Sequence, residues 1–108
     1  MKEYTINLTE LVNPPKTDSI SGREFGEQHA LDVNLSEHFE SDAKIIILID
    51  SEYVKAINDS FIKGFFSSLF NQHKTLSQIR EHIEVKANEN FKRLFEKNWM
   101  ILDAINNV

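Results

Sequence analysis

The sequence predicts an α/β fold, a single domain with a mostly parallel sheet of about four strands flanked by helices. Two observations predict it. Stretches with strand patterning alternate along the chain with stretches of helical periodicity, the order that right-handed crossovers turn into a parallel sheet. The run Ile45 to Ile49 is apolar throughout and β-branched except at Leu48, so it reads as the middle strand, buried on both faces under helices. With 108 residues the chain has room for one core and none for a second domain.

The elements follow in order. Tyr4 to Thr9 alternates apolar and polar side chains, which predicts a half-buried first strand. Residues 13–22 hold both prolines and a glycine among polar residues and predict an irregular, mobile loop. Ser21-Gly22-Arg23-Glu24 fits the S-x-x-E capping box, so a helix is expected from Gly22 to about Glu40. Phe25, His29 and Val33 form its stripe, although Leu31, Val33 and Leu35 read equally well as alternation. After the middle strand, a short link through Tyr53, Val54 and Ile57 leads to Asn58-Asp59-Ser60, three capping residues in a row. They open a helix over 59–71 whose Phe61, Ile62, Phe65, Phe66, Leu69 and Phe70 recur at helical spacing. Weighed against a cofactor-stacking box, that stripe reads as an internal helix packed on the sheet. Thr75 to Gln78 is a second capping-box match and predicts a short helical turn. His82 to Ala87 alternates like a strand with one wet face. Asn88 caps a last helix carrying Phe91, Leu94, Phe95, Trp99, Leu102 and Ile105.

Composition narrows the functions. The absence of cysteine excludes disulfide scaffolds, thiolate zinc sites, iron–sulfur clusters and thiol nucleophiles, and it suits a reducing, cytoplasmic setting. A net charge of −5 argues against a nucleic-acid partner. The longest apolar run falls far short of the ~20 residues of a membrane span, and no signal-peptide core follows Met1. His29, His38, His73 and His82 share no helical metal spacing, so no metal is expected. There is no G-x-S-x-G elbow, no P-loop and no G-x-G-x-x-G, so neither an enzyme nor a bound cofactor is expected. Lys92, Arg93 and Lys97 interleave with Glu89 and Glu96 as a charged outer face. The phenylalanine helix and Trp99 hold enough apolar surface for a homodimer, but the core needs the same residues.

One place keeps a functional reading. Asp50 to Asp59 lies at the carboxyl end of the expected middle strand, where open α/β sheets receive ligands and partners. Asp59-Ser60 also opens a helix, where a phosphate on Ser60 would meet unpaired amides and a favourable dipole. Plain N-capping is the alternative reading of the same residues. The candidate partner-binding residues are Asn58, Asp59 and Ser60, with Asp50 and Lys63 on the rim.

Two stretches carry a resemblance: Asp59-Ser60-Phe61-Ile62-Lys63-Gly64-Phe65-Phe66-Ser67-Ser68-Leu69, preceded by the strand ending in Asp50, and Ser21-Gly22-Arg23-Glu24-Phe25 upstream. With these the chain resembles the small STAS-like domains of bacteria and phages, relatives in shape of the anti-sigma-factor antagonists, from Tyr4 to about Ile105. It departs from their pattern at Pro14-Pro15-Lys16, where glycine and arginine are usual, and at Ser67-Ser68, where paired glycines often stand. The resemblance implies a non-enzymatic switch module that docks onto an ATPase of the histidine-kinase-like superfold and is regulated at a serine. Asp59 falls where the better-known antagonists carry that serine. It is then either a permanent charge or the mark of a lost switch with its docking surface kept. The reading from a different class is a small inhibitory or immunity-type protein of a defence or toxin system, gripping its target through the exposed faces of the first and last helices.

Overall fold

The computed structural model describes residues 2–107. In chain order the elements are β1 (Glu3–Asn7), a 3-10 turn (Leu8–Leu11), β2 (Ser19–Ile20), α1 (Arg23–Asp32), α2 (Leu35–Glu40), β3 (Lys44–Leu48), β4 (Ala56–Ile57), α3 (Asp59–Asn71), α4 (Leu76–His82), β5 (Ile83–Lys86) and α5 (Glu89–Asn106). The fold is α/β, as expected, and β3 is the middle strand. The expected sheet of four strands is instead a parallel sheet of three, in the order β1-β3-β5, with a separate parallel pair β2-β4. No helix among the described residues is long and apolar enough to cross a membrane.

Register assigns the faces of the larger sheet. Tyr4, Ile45 and Ile83 share one row and Ile6, Ile47 and Val85 another, and all of these pack into or against the core. The intervening rows, Thr5, Ile46, Glu84 and Asn7, Leu48, Lys86, belong to the opposite face. There Leu48 is 38% exposed, Ile46 stands outside the core cluster, and Lys44 pairs with Glu84 at 2.9 Å. The expectation that β3 is buried on both faces thus holds at Ile46, which is 6% exposed, and fails at Leu48. Because the strand order advances in one direction, successive right-handed crossovers stack on the same side, and the other side carries mostly polar and charged side chains from β1 and β5.

The core is built on α3. Phe61, Phe65, Phe66 and Phe70 are wholly buried, each contributing on the order of 1.5–3 kcal/mol by burial. Phe66 meets the rings of Phe95 and Trp99 edge-on at 5.9 and 5.4 Å, which joins α5 to the same core. On its other side α3 carries α1, and the two helices run parallel at backbone contact. A Cβ at Gly26 would overlap the Phe61 carbonyl, and one at Gly64 would overlap the Arg23 carbonyl. The β2-β4 ladder pairs Ile20 with Ile57 and so delivers both helix starts side by side.

Other expectations change in detail. The first strand ends at Asn7, whose side chain accepts the Thr9 N–H at 3.1 Å and turns the chain into the 3-10 turn. The loop over 13–22 is tied at both ends: Asn13 bridges Thr17, and Ser19–Ile20 form β2 with Ile20 buried. The Ser21 capping box does not form, because the chain bends at Gly22 (φ 106°), which takes the cap position itself. The long helix to Glu40 breaks at Asn34 (φ 55°), a left-handed residue that swings Leu35 and Phe39 into the core. The link after β3 contains β4. The turn at Thr75 is the full helix α4, with both halves of its capping box made.

Alanine in place of glycine favours an open helix by about 1 kcal/mol. At Gly64 the overlap with Arg23 reverses the sign, and Gly64→Ala is expected to lose about 1–3 kcal/mol in urea denaturation. A gain in stability would show that α1 does not seat on α3 at backbone contact.

Candidate functional site

The carboxyl end of β3 and the starts of α1 and α3 lie at one end of the fold. Asp50 follows β3, and its N–H donates to Thr9 Oγ1 at 2.9 Å. Its carboxylate accepts the Glu52 N–H at 2.9 Å and its carbonyl accepts the Val54 N–H at 2.9 Å, closing a turn plugged by the buried Val54. Leu48, Asp50 and Tyr53 border a shallow depression here, with Tyr53 49% exposed.

The start of α3 is a second cluster. Asn58 caps the helix through Oδ1, which accepts the Ser60 N–H at 3.0 Å and the Ser60 hydroxyl at 3.1 Å. Ser60 Oγ in turn accepts the Gly22 N–H at 3.4 Å, so one hydroxyl joins the starts of both helices. Asp59 points the other way, toward α5. Its Oδ1 accepts from Asn98 Nδ2 at 2.9 Å and its Oδ2 faces Lys97 Nζ at 3.4 Å. The Asn98 hydrogen bond, helped by Lys97 and Lys63, holds the Asp59 carboxyl below the usual aspartate value. Thus Asn58, Asp59, Ser60 and Lys63 gather at one helix start. Asp50 belongs to the neighbouring turn, and no hydrogen bond or ion pair connects it to them among the described residues.

Two participants were missed by sequence reasoning. Asn98 is fully buried between Phe95 and Leu102, and a lone amide inside an apolar stripe is a signal that a polar partner is required. Phe25 fits the helical stripe, yet its side chain is 44% exposed beside Gly22 and lies 5.6 Å from the Phe61 ring. The charged face of α5 also works differently than its spacing suggests. Lys97 binds Asp59 and Glu96 binds Arg80 on α4, while Lys92 and Glu89 pair along the helix.

No family model, curated protein or solved structure matches the chain. The chemistry of this end therefore rests on its own residues. The histidines do not converge. His38 stacks on Tyr4, His73 meets the Asn106 carbonyl, and burial against Phe65 lowers the pKa of His29. His82 sits between the Gln78 carbonyl and the Asp42 carboxylate, which together raise its pKa. What this end offers is hydrogen-bonded helix starts, a charged rim and exposed aromatic side chains, a surface suited to contact.

A lowered carboxyl pKa adds stability that is complete above the ordinary aspartate range and lost as pH falls through the folded value. Unfolding free energies measured by urea from pH 7 downward are expected to fall more steeply below about pH 4 in the wild type than in Asp59→Asn. Parallel curves would mean that the Asp59–Asn98 bond is not made in solution.

Proposed function

We propose that the chain is a non-enzymatic regulatory module that works by binding another protein at the joined starts of α1 and α3. The observation that carries this reading is the position of Ser60. Its half-exposed hydroxyl accepts from the Gly22 amide of one helix start and donates to the cap of the other. A phosphate or carboxylate placed there breaks the link to Gly22 and adds negative charge where two parallel helix dipoles favour it. A local modification would then change the shape of the whole end. Phe25, exposed beside it, supplies the apolar anchor that protein interfaces use, and Asn58, Asp59, Lys63 and Asp50 form the polar rim.

The partner favoured is an ATPase of the histidine-kinase-like superfold, which is what the likeness to STAS-like switch domains implies. The inhibitory or immunity-type reading draws support from a different feature, the exposed Leu31 on α1 and Met100 and Ile105 on α5. Affinity purification from the native host separates the two, since recovery of an ATPase supports the switch and recovery of a nuclease supports the inhibitor.

With the partner in hand, titration calorimetry is expected to show Phe25→Ala weakening binding about tenfold. Ser60→Glu and Ser60→Ala are expected to differ from each other in affinity. Identical affinities for these two variants, both folded by circular dichroism, would remove Ser60 from the interface.

A further inference from the structure

The opposite end of the helix pair holds a cavity. Because α1 and α3 run parallel from their joined starts, their carbonyl ends also emerge together, and α2 crosses beside them. A cavity of about 470 Å³ lies between the three helices, within the usual range for small-ligand sites. Its space comes from small side chains at the crossing, Ala30, Gly64, Ser67 and Ser68. Ala30 and the wholly buried Leu35 give it an apolar floor, and Leu31, 70% exposed, stands at the rim.

Its polar walls are one-sided. The charged side chains among the lining residues are Glu27 and Glu37, and no lysine, arginine or histidine lines it. The carbonyl ends of α1 and α3 add negative potential. The first turn of α2 opposes them with its amides, but Glu37 lies in that turn and already supplies the anion the amides favour. Ser36 and Ser68 share one hydrogen bond at 3.1 Å and each keeps an oxygen lone pair, and Asn71 and Gln72 add amide oxygens. Lys74, two residues after the lining Gln72, is held by Glu40 at 2.5 Å.

We propose that this cavity binds an aliphatic ammonium group, the chemistry shared by a free alkyl amine and a lysine side chain. The methylene chain lies on Ala30, Leu31 and Leu35, and the ammonium donates its three N–H groups to the carboxylates and hydroxyls above. A carboxylate or phosphate ligand meets two like charges, and a wholly apolar one leaves the polar walls unpaired. This site is independent of the docking end around Ser60.

The test is a nitrogen-15 NMR titration of the full chain with n-pentylamine, pentan-1-ol as its uncharged analogue, and Nα-acetyl-lysine methylamide. Pentylamine at neutral pH is expected to give saturable shifts at Gly64, Ser68 and Leu35. Pentan-1-ol is expected to bind at least about tenfold more weakly, and the double variant Glu27→Gln/Glu37→Gln to lose about tenfold for the amine but not for the alcohol. The lysine amide separates the sources: affinity within about threefold of pentylamine assigns the site to a lysine side chain, and weaker binding assigns it to a free amine. Phe25→Ala, at the other end of the helix pair, is expected to leave amine binding unchanged. Shifts that do not saturate, equal affinity for amine and alcohol, or an unchanged affinity in the double variant would overturn the proposal.

Discussion

The backbone contact between α1 and α3 is the constraint on which the rest of the molecule depends. It exists because Gly26 and Gly64 face the partner helix's backbone with nothing between. A helix glycine ordinarily weakens its helix, so two placed where they permit close approach indicate that packing outweighs propensity at this crossing. The short β2-β4 ladder fixes the two helices in register at their starts. From these two features both candidate sites follow. The amide ends meet where Ser60 bridges to Gly22, and the carbonyl ends open around the cavity lined by Glu27 and Glu37. One end of the pair suits added negative charge and the other suits positive charge.

The sheet beneath is unusual in a different way. Parallel sheets are commonly sandwiched between apolar layers, and this one turns a single face to the main core. Charged and polar side chains take over on the other side. The Lys44–Glu84 pair lies across the middle of that face, with Thr5 and Asn7 on one flank and Lys86 on the other. Ile46 and Leu48 are the apolar side chains that β3 sends there, and Ile46 is shielded to 6% exposure. A continuous apolar run was thus compatible with a strand only one of whose faces is capped by helices.

How much of this was legible in the sequence depends on the range of the interaction. Most local devices were readable: the caps at Asn58, Thr75 and Asn88 each make the hydrogen bond their residue type predicts, whereas the Ser21 box gives way to the bend at Gly22. The isoleucine run and the phenylalanine stripe were readable because long, strongly patterned segments declare their element. The strands β2 and β4 were not, since two residues cannot display a period. The break at Asn34 depends on where Leu35 and Phe39 must point, which only the assembled core decides. Of the candidate site, the capping trio was legible, whereas its division into an Asp59 turned toward α5 and a Ser60 turned toward α1 was not. That division is imposed by Asn98, on a helix that nothing in the local sequence around Asp59 announces.

The attachment of α5 carries a consequence for how the molecule comes into being. Phe95, Trp99 and Leu102 complete the core around Phe66, and Asn98 reaches back to the first residue of α3, 39 positions earlier. A chain emerging from the ribosome amino-end first can form the α1-α3 pair early, but the phenylalanine helix stays without its lid until these late residues are released. During that interval its aromatic side lies bare to the cell. Whatever delays the docking of α5 therefore prolongs the exposure of the phenylalanine side of α3.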